Sequence, residues 1–97
     1  MKVVVKPDAQ ADLMQIVEWY RGIDPKIVDR FIKSLEASIV QLSQFPLQCP
    51  VCLKNVRQFV MKQFPYLILY EPEDATLYIH AVFHASRDKT RLVDRFN

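Results

Sequence analysis

The residues most capable of chemistry lie near the C-terminus, in "IHAVFHASRDKTRLVDRF", where an apolar run from Ile79 to Phe83 gives way to His84, Ser86, Arg87, Asp88, Lys89 and Arg91. Histidine can move a proton near neutral pH, and arginine can hold a phosphate through two parallel hydrogen bonds. At the end of a strand, His84 and Arg87 could converge with residues of neighbouring strands. That pairing suits phosphodiester chemistry, set against the plainer reading of a solvated strand end. Arg57 and Lys62 fall on the strand predicted within "NVRQFVMKQF", with Lys54 just before it. Basic residues on strands are commonly solvated or protect an edge.

Two further spacings invite a metal or redox reading. Cys49 and Cys52 form "CPVC", and His80 and His84 have H-x3-H spacing. Four residues of strand span about 13 Å, whereas two ligands of one zinc each sit about 2 Å from it. The two histidines on one strand therefore make a poor metal pair, and no metal site is expected. A redox cysteine pair favours a helix N-terminus, where the thiolate is stabilised. Here the pair follows a helix and precedes a strand, so incidental loop cysteines are the leading reading, with a disulfide as the alternative. One glycine cannot build a phosphate-binding glycine loop, and no carboxylate pair or serine motif stands out.

These residues must be positioned by elements that prolines delimit. "KVVVK" reads as a strand ending before Pro7. Asp8 reads as the cap of a first helix, with Leu13, Ile16, Val17 and Tyr20 on one face and Gly22 at its end. Asp24 and Pro25 open a second helix. Its stripe of Val28, Phe31, Ile32, Leu35, Ile39 and Leu42 is the strongest periodic signal in the chain, and Pro46 closes it. The short link implies a helical hairpin. Then "NVRQFVMKQF", "YLILYE" and "TLYIHAVFHA" read as three antiparallel strands, and "DKTRLVDRF" as a short closing helix. Strand alternation puts Leu77, Ile79, Ala81 and Phe83 on the helix-facing side and Tyr78, His80, Val82 and His84 on the other. The expected class is α+β, a two-layer domain over residues 1–97, in which a helical hairpin covers a mostly antiparallel sheet.

The 97 residues suit one core, and 51% hydrophobic with 25% charged residues is an ordinary globular balance. Net charge is +2; residues 1–50 hold six basic and six acidic groups, and residues 51–97 hold seven and five. That bias is too mild to argue for nucleic acid. No apolar run approaches a membrane span, and the N-terminus does not read as a signal peptide, so a cytoplasmic protein without membrane contact is expected.

The segments "ADLMQIVEWY", "VDRFIKSLEASIVQLSQFP", "VRQF" and "FPYLILYEPEDATLYIHAVFHASRD" together resemble the RelE/ParE superfamily of toxins from type II toxin–antitoxin modules, often labelled plasmid stabilisation proteins. The resemblance covers nearly the whole chain. It implies a growth inhibitor held inactive by a cognate antitoxin, in a homodimer or a toxin–antitoxin hetero-oligomer, with no cofactor. RelE-like members cleave mRNA on the ribosome without metal, and ParE-like members poison DNA gyrase. The nuclease pattern commonly has an arginine where this chain has Leu67, and lysines where it has Gln58 and Val60. It also has a C-terminal tyrosine, which "VDRFN" lacks. The resemblance is thus nearer the ParE-like side. The alternatives are an endoribonuclease, in which His84 would be the acid/base group and Arg87 the phosphate clamp, and an inactive relic that only binds antitoxin. Lys54, Arg57, Lys62 and Arg91 are the expected substrate or partner contacts.

Overall fold

A computed structural model describes residues 1–88 together with Arg91 and Arg95. The chain runs β1 (Lys2–Val5), α1 (Pro7–Arg21), α2 (Pro25–Gln44), β2 (Val51–Leu53), β3 (Val56–Val60), β4 (Tyr66–Glu73) and β5 (Thr76–His84). The expected helical hairpin and three-strand meander are present, and β2 is an added short edge strand. The closing helix expected over "DKTRLVDRF" lies mostly outside the described residues.

The five strands form one sheet in the order β1-β5-β4-β3-β2, with β1 parallel to β5 and the other neighbours antiparallel. The helices cover one face. On α2, Val28, Phe31 and Leu42 are buried, while Ile32 sits at the solvent margin. Each such side chain contributes about 1.5–3 kcal/mol through removal of apolar surface from water. Phe31, Tyr20, Phe64 and Tyr66 join the helices to β4 by tilted and edge-on ring contacts, with Phe31 and Phe64 centroids 5.3 Å apart.

Local signals differ in outcome. Asp24 caps α2, its side chain accepting from the Lys26 N–H at 3.0 Å, and Pro25 opens the helix. Asp8 does not cap α1. The cap position is Lys6, with no side-chain bond, and Asp8 lies in the first turn. There its charge still favours the helix dipole. Gly22 ends α1 with φ −68°, so it does not use the left-handed region. That region is taken by Lys54, Gln63 and Asp74, all in turns. Asp74 sits in the two-residue β4–β5 turn, where a short polar side chain tolerates φ 54°.

Strict alternation along β5 fails at its midpoint. Tyr70 pairs with Ile79 and Leu69 with Ala81, so His80 is an extra residue, a β-bulge. Before it, Leu77 and Ile79 face the helices. After it, Val82 faces them, while Ala81 and Phe83 turn to the outer face and pack with Val56, Leu69 and Cys52. The expected helix-facing positions of Ala81 and Phe83 are thereby corrected. One inserted residue reverses the parity of everything beyond it.

Candidate functional site

The candidate site forms where β5 outruns β1. Strand β1 pairs with β5 only through Ile79, the last link being the Lys6 N–H donating to the Ile79 carbonyl at 2.9 Å. Beyond that point side chains meet the edge groups of β5. The Val82 N–H donates to Asp12 Oδ2 at 3.0 Å, and the His84 N–H to Asp88 Oδ2 at 2.8 Å. Arg95 donates to the His80 carbonyl at 3.3 Å. It also forks onto both oxygens of Asp12, at 3.0 and 3.2 Å, and lies 4.8 Å over the Phe83 ring. Asp12 is 6% exposed. A carboxylate so buried needs such pairing to remain there.

The turn after β5 is built around His84. Its Nδ1 accepts from the Ser86 and Arg87 backbone N–H groups, at 3.2 and 3.1 Å, and lies 3.2 Å from the Ser86 hydroxyl. A nitrogen that receives two backbone N–H groups must carry the ring's lone pair. The neutral ring then has its hydrogen on Nε2, and no second lone pair is left to take a proton from a substrate. The ring also stands edge-on to Tyr66, 5.6 Å between centroids.

Turning the chain this way aims Arg87 across a cleft of about 240 Å³ lined by Asp12, Gln15, Trp19, Tyr66, Arg87, Asp88 and Arg91. The Arg87 guanidinium lies 6.0 Å from the Trp19 ring centroid. Burial pushes the Tyr66 phenol well above its ordinary range; Tyr20 adds to the shift and Arg87 opposes it. Tyr66 is therefore a neutral phenol here, able to donate a hydrogen bond. The cleft can bind an anionic or hydrogen-bonding group through Arg87 against an aromatic wall.

Of the expected site residues, Arg87 and Arg91 line one cleft, while His84 holds the turn that carries Arg87 and is not in the cleft's lining. Arg91 stands 3.6 Å from Asp88 and 5.6 Å over the Phe83 ring. The others do not join them. Lys54 occupies the β2–β3 turn. Arg57 donates to the Leu47 and Cys49 carbonyls at 3.2 and 2.6 Å, fastening the loop after α2. Lys62 lies past the end of β3, not on it, and lines a different groove. Cys49 packs on the helix-facing core and Cys52 on the outer cluster, and both are free thiols. Burial raises the Cys52 thiol further, away from the reactive thiolate. His80, whose spacing to His84 made a poor metal pair, lies 2.9 Å from Glu71 on β4.

Asp12, Trp19, Tyr66 and Arg95 are the site residues that pattern reading passes over. A signal existed for Asp12. It falls with Ala9 and Ile16 on the buried stripe of α1, at spacings of three and four, where a carboxylate demands a partner.

The family model for the ParE toxin of type II toxin–antitoxin systems matches residues 3–89. The chain belongs to that family. Among solved structures, a chain of the chromosomal ParDE toxin–antitoxin system from P. aeruginosa superposes with a TM-score of 0.77 at 18% identity, covering 89% of this chain and 97% of that one. At that identity the likeness concerns the fold: the same helical hairpin on the same mixed sheet. No curated protein matches the chain. Among the described residues no helix is long and apolar enough to cross a membrane.

Proposed function

We propose that this chain is a growth-inhibiting toxin that acts in the cytoplasm by binding a protein target, DNA gyrase, and that a cognate antitoxin neutralises it in a toxin–antitoxin hetero-oligomer. Family membership supports the toxin role. The observation that favours a binding mode over RNA cleavage is the hydrogen bonding of His84. Its Nδ1 lone pair is spent on the turn that places Arg87. General acid–base catalysis needs a group free to exchange a proton with the reacting atoms. His84 is committed to holding the backbone, and Tyr66 keeps its own proton. Arg87, Trp19 and Arg91 remain as an exposed binding edge.

One observation favours the second reading, a ribosome-dependent endoribonuclease. Arg87 and Tyr66 share a cleft that could seat a phosphodiester. The two readings separate in a paired assay of the purified chain, with gyrase supercoiling in one arm and translation-coupled mRNA cleavage in the other. Inhibited supercoiling with intact mRNA, unchanged in His84→Ala, is expected. Defined mRNA cuts that vanish in His84→Ala, with supercoiling untouched, would replace the gyrase reading by the nuclease one. Neither effect would leave a chain that only binds antitoxin.

A further inference from the structure

Apart from the Arg87 cleft, a groove of about 400 Å³ runs between α2 and the turn that follows β3. Arg30, Lys33, Ala37 and Gln41 line it from the helix at spacings of three and four, a stripe of three turns and about 16 Å. Lys62 faces them across the groove, and Phe59 forms the floor. The lining holds three cations and no carboxylate. Among the described residues none of the three is in an ion pair. The acids of this stretch of α2, Asp29 and Glu36, stand four residues before and three after Lys33, on the flank of the stripe and outside the groove lining.

The groove is also preformed. The Ser34 hydroxyl donates to the Lys62 carbonyl at 3.0 Å, tying the turn to the helix. Gln63 takes a left-handed φ of 71° to turn the chain beside it. Between the cations the lining side chains Ser34, Ala37 and Ser38 are small.

We propose that this groove binds an acidic, amphipathic peptide segment of a partner protein. Carboxylates of that segment would meet Arg30, Lys33 and Lys62, and its apolar side would lie over Ala37 and the Phe59 floor. Charge complementarity selects an acidic occupant. The apolar floor favours peptide over nucleic acid. Single strands are held by stacking on exposed aromatic rings, and Phe59 is only 6% exposed. The proposal does not rest on the identity of the toxin's target.

The test uses fluorescence anisotropy of the full chain with three labelled probes: a helical Leu/Glu peptide of about four turns, the same peptide with Lys for Glu, and a single-stranded oligonucleotide. The Leu/Glu peptide should bind and should weaken as salt rises. Arg30→Ala with Lys33→Ala should weaken it by about tenfold or more. Lys2→Ala with Arg21→Ala removes the same charge elsewhere and should change little. All four side chains are exposed, and circular dichroism checks that each variant folds. Failure of the acidic peptide to bind, equal loss in both double variants, or equal binding of the Lys peptide would each overturn the proposal. Selective loss of the oligonucleotide in the Arg30/Lys33 variant would overturn it in favour of a phosphodiester site.

Discussion

The two halves of β5 solve the same problem by different means. From Thr76 to Ile79 the strand is flanked by β1 and β4, and backbone groups satisfy one another on both sides. From His80 to His84 one flank is open, and Asp12, Asp88 and Arg95 supply the missing partners. An unpaired edge is a template for another strand. Side-chain capping closes this one without spending a strand on it, and it leaves the strand end free to carry a turn and a cleft. Strand pairing gives a uniform ladder, whereas side-chain capping concentrates the stability of a whole edge in one buried ion pair. Damage in the second half should therefore be more localised and more sensitive to charge.

The sharpest way to break that comparison is Asp12→Ala. It strands the Val82 N–H and takes from Arg95 its two-oxygen partner, leaving it the His80 carbonyl and Asp8 at 3.9 Å, and should cost about 4 kcal/mol in urea unfolding. Hydrogen exchange should quicken at the Val82 amide while the amides of Leu77 and Ile79 keep their relative protection. A uniform rise along β5 would show that the halves are not distinct. Next, Leu77→Ala in the first half should cost about 3 kcal/mol through cavity formation alone, with no change in salt dependence. Asp12→Ala, by contrast, should respond to salt.

His84→Ala should be milder, about 1 kcal/mol for the lost turn bonds, and should leave growth inhibition in place if the chain acts by binding. Arg87→Ala should reduce inhibition with little effect on stability, since Arg87 is exposed. The smallest effect is alkaline. Folded Tyr66 keeps its proton where the unfolded chain loses it, above the ordinary phenol value of 10.0. The folded state then binds more protons, so stability is full below that pH and falls as pH rises above it. Denaturation midpoints measured at rising pH should fall less steeply in Tyr66→Phe than in the parent. Tyr70→Phe should do the same, because burial and its contact with Cys49 also raise that phenol. Tyr70→Phe should in addition lose the bond from its hydroxyl to the Pro46 carbonyl, seen at 2.9 Å.

Much of the framework was legible in the residues. Proline spacing marked the element boundaries, the Val28 to Leu42 stripe marked the helix that covers the sheet, and Asp24–Pro25 marked its start. These are local signals, because capping, ring constraint and helical period act within a few residues. His84 and Arg87 were legible as a pair for the same reason: they are three residues apart. The resemblance carried by these segments pointed to the family that the chain belongs to.

What tertiary structure decided is everything that depends on partners distant in the chain. The bulge at His80 arises where β5 leaves β1 and Asp12 takes the N–H of Val82, 70 residues further along the chain. No pattern within "TLYIHAVFH" announces it, yet it sends Phe83 to one face and Val82 to the other. Lys62 likewise read as a strand residue from its neighbours, and became a groove residue once the turn was tied to Ser34. Composition and period thus determined which elements form and which helix faces are apolar, since those follow from short-range free energies. Which polar group is buried and which face a residue beyond the bulge presents were settled only by long-range contacts, whereas His84 is held in its turn by Ser86 and Arg87, two and three residues away.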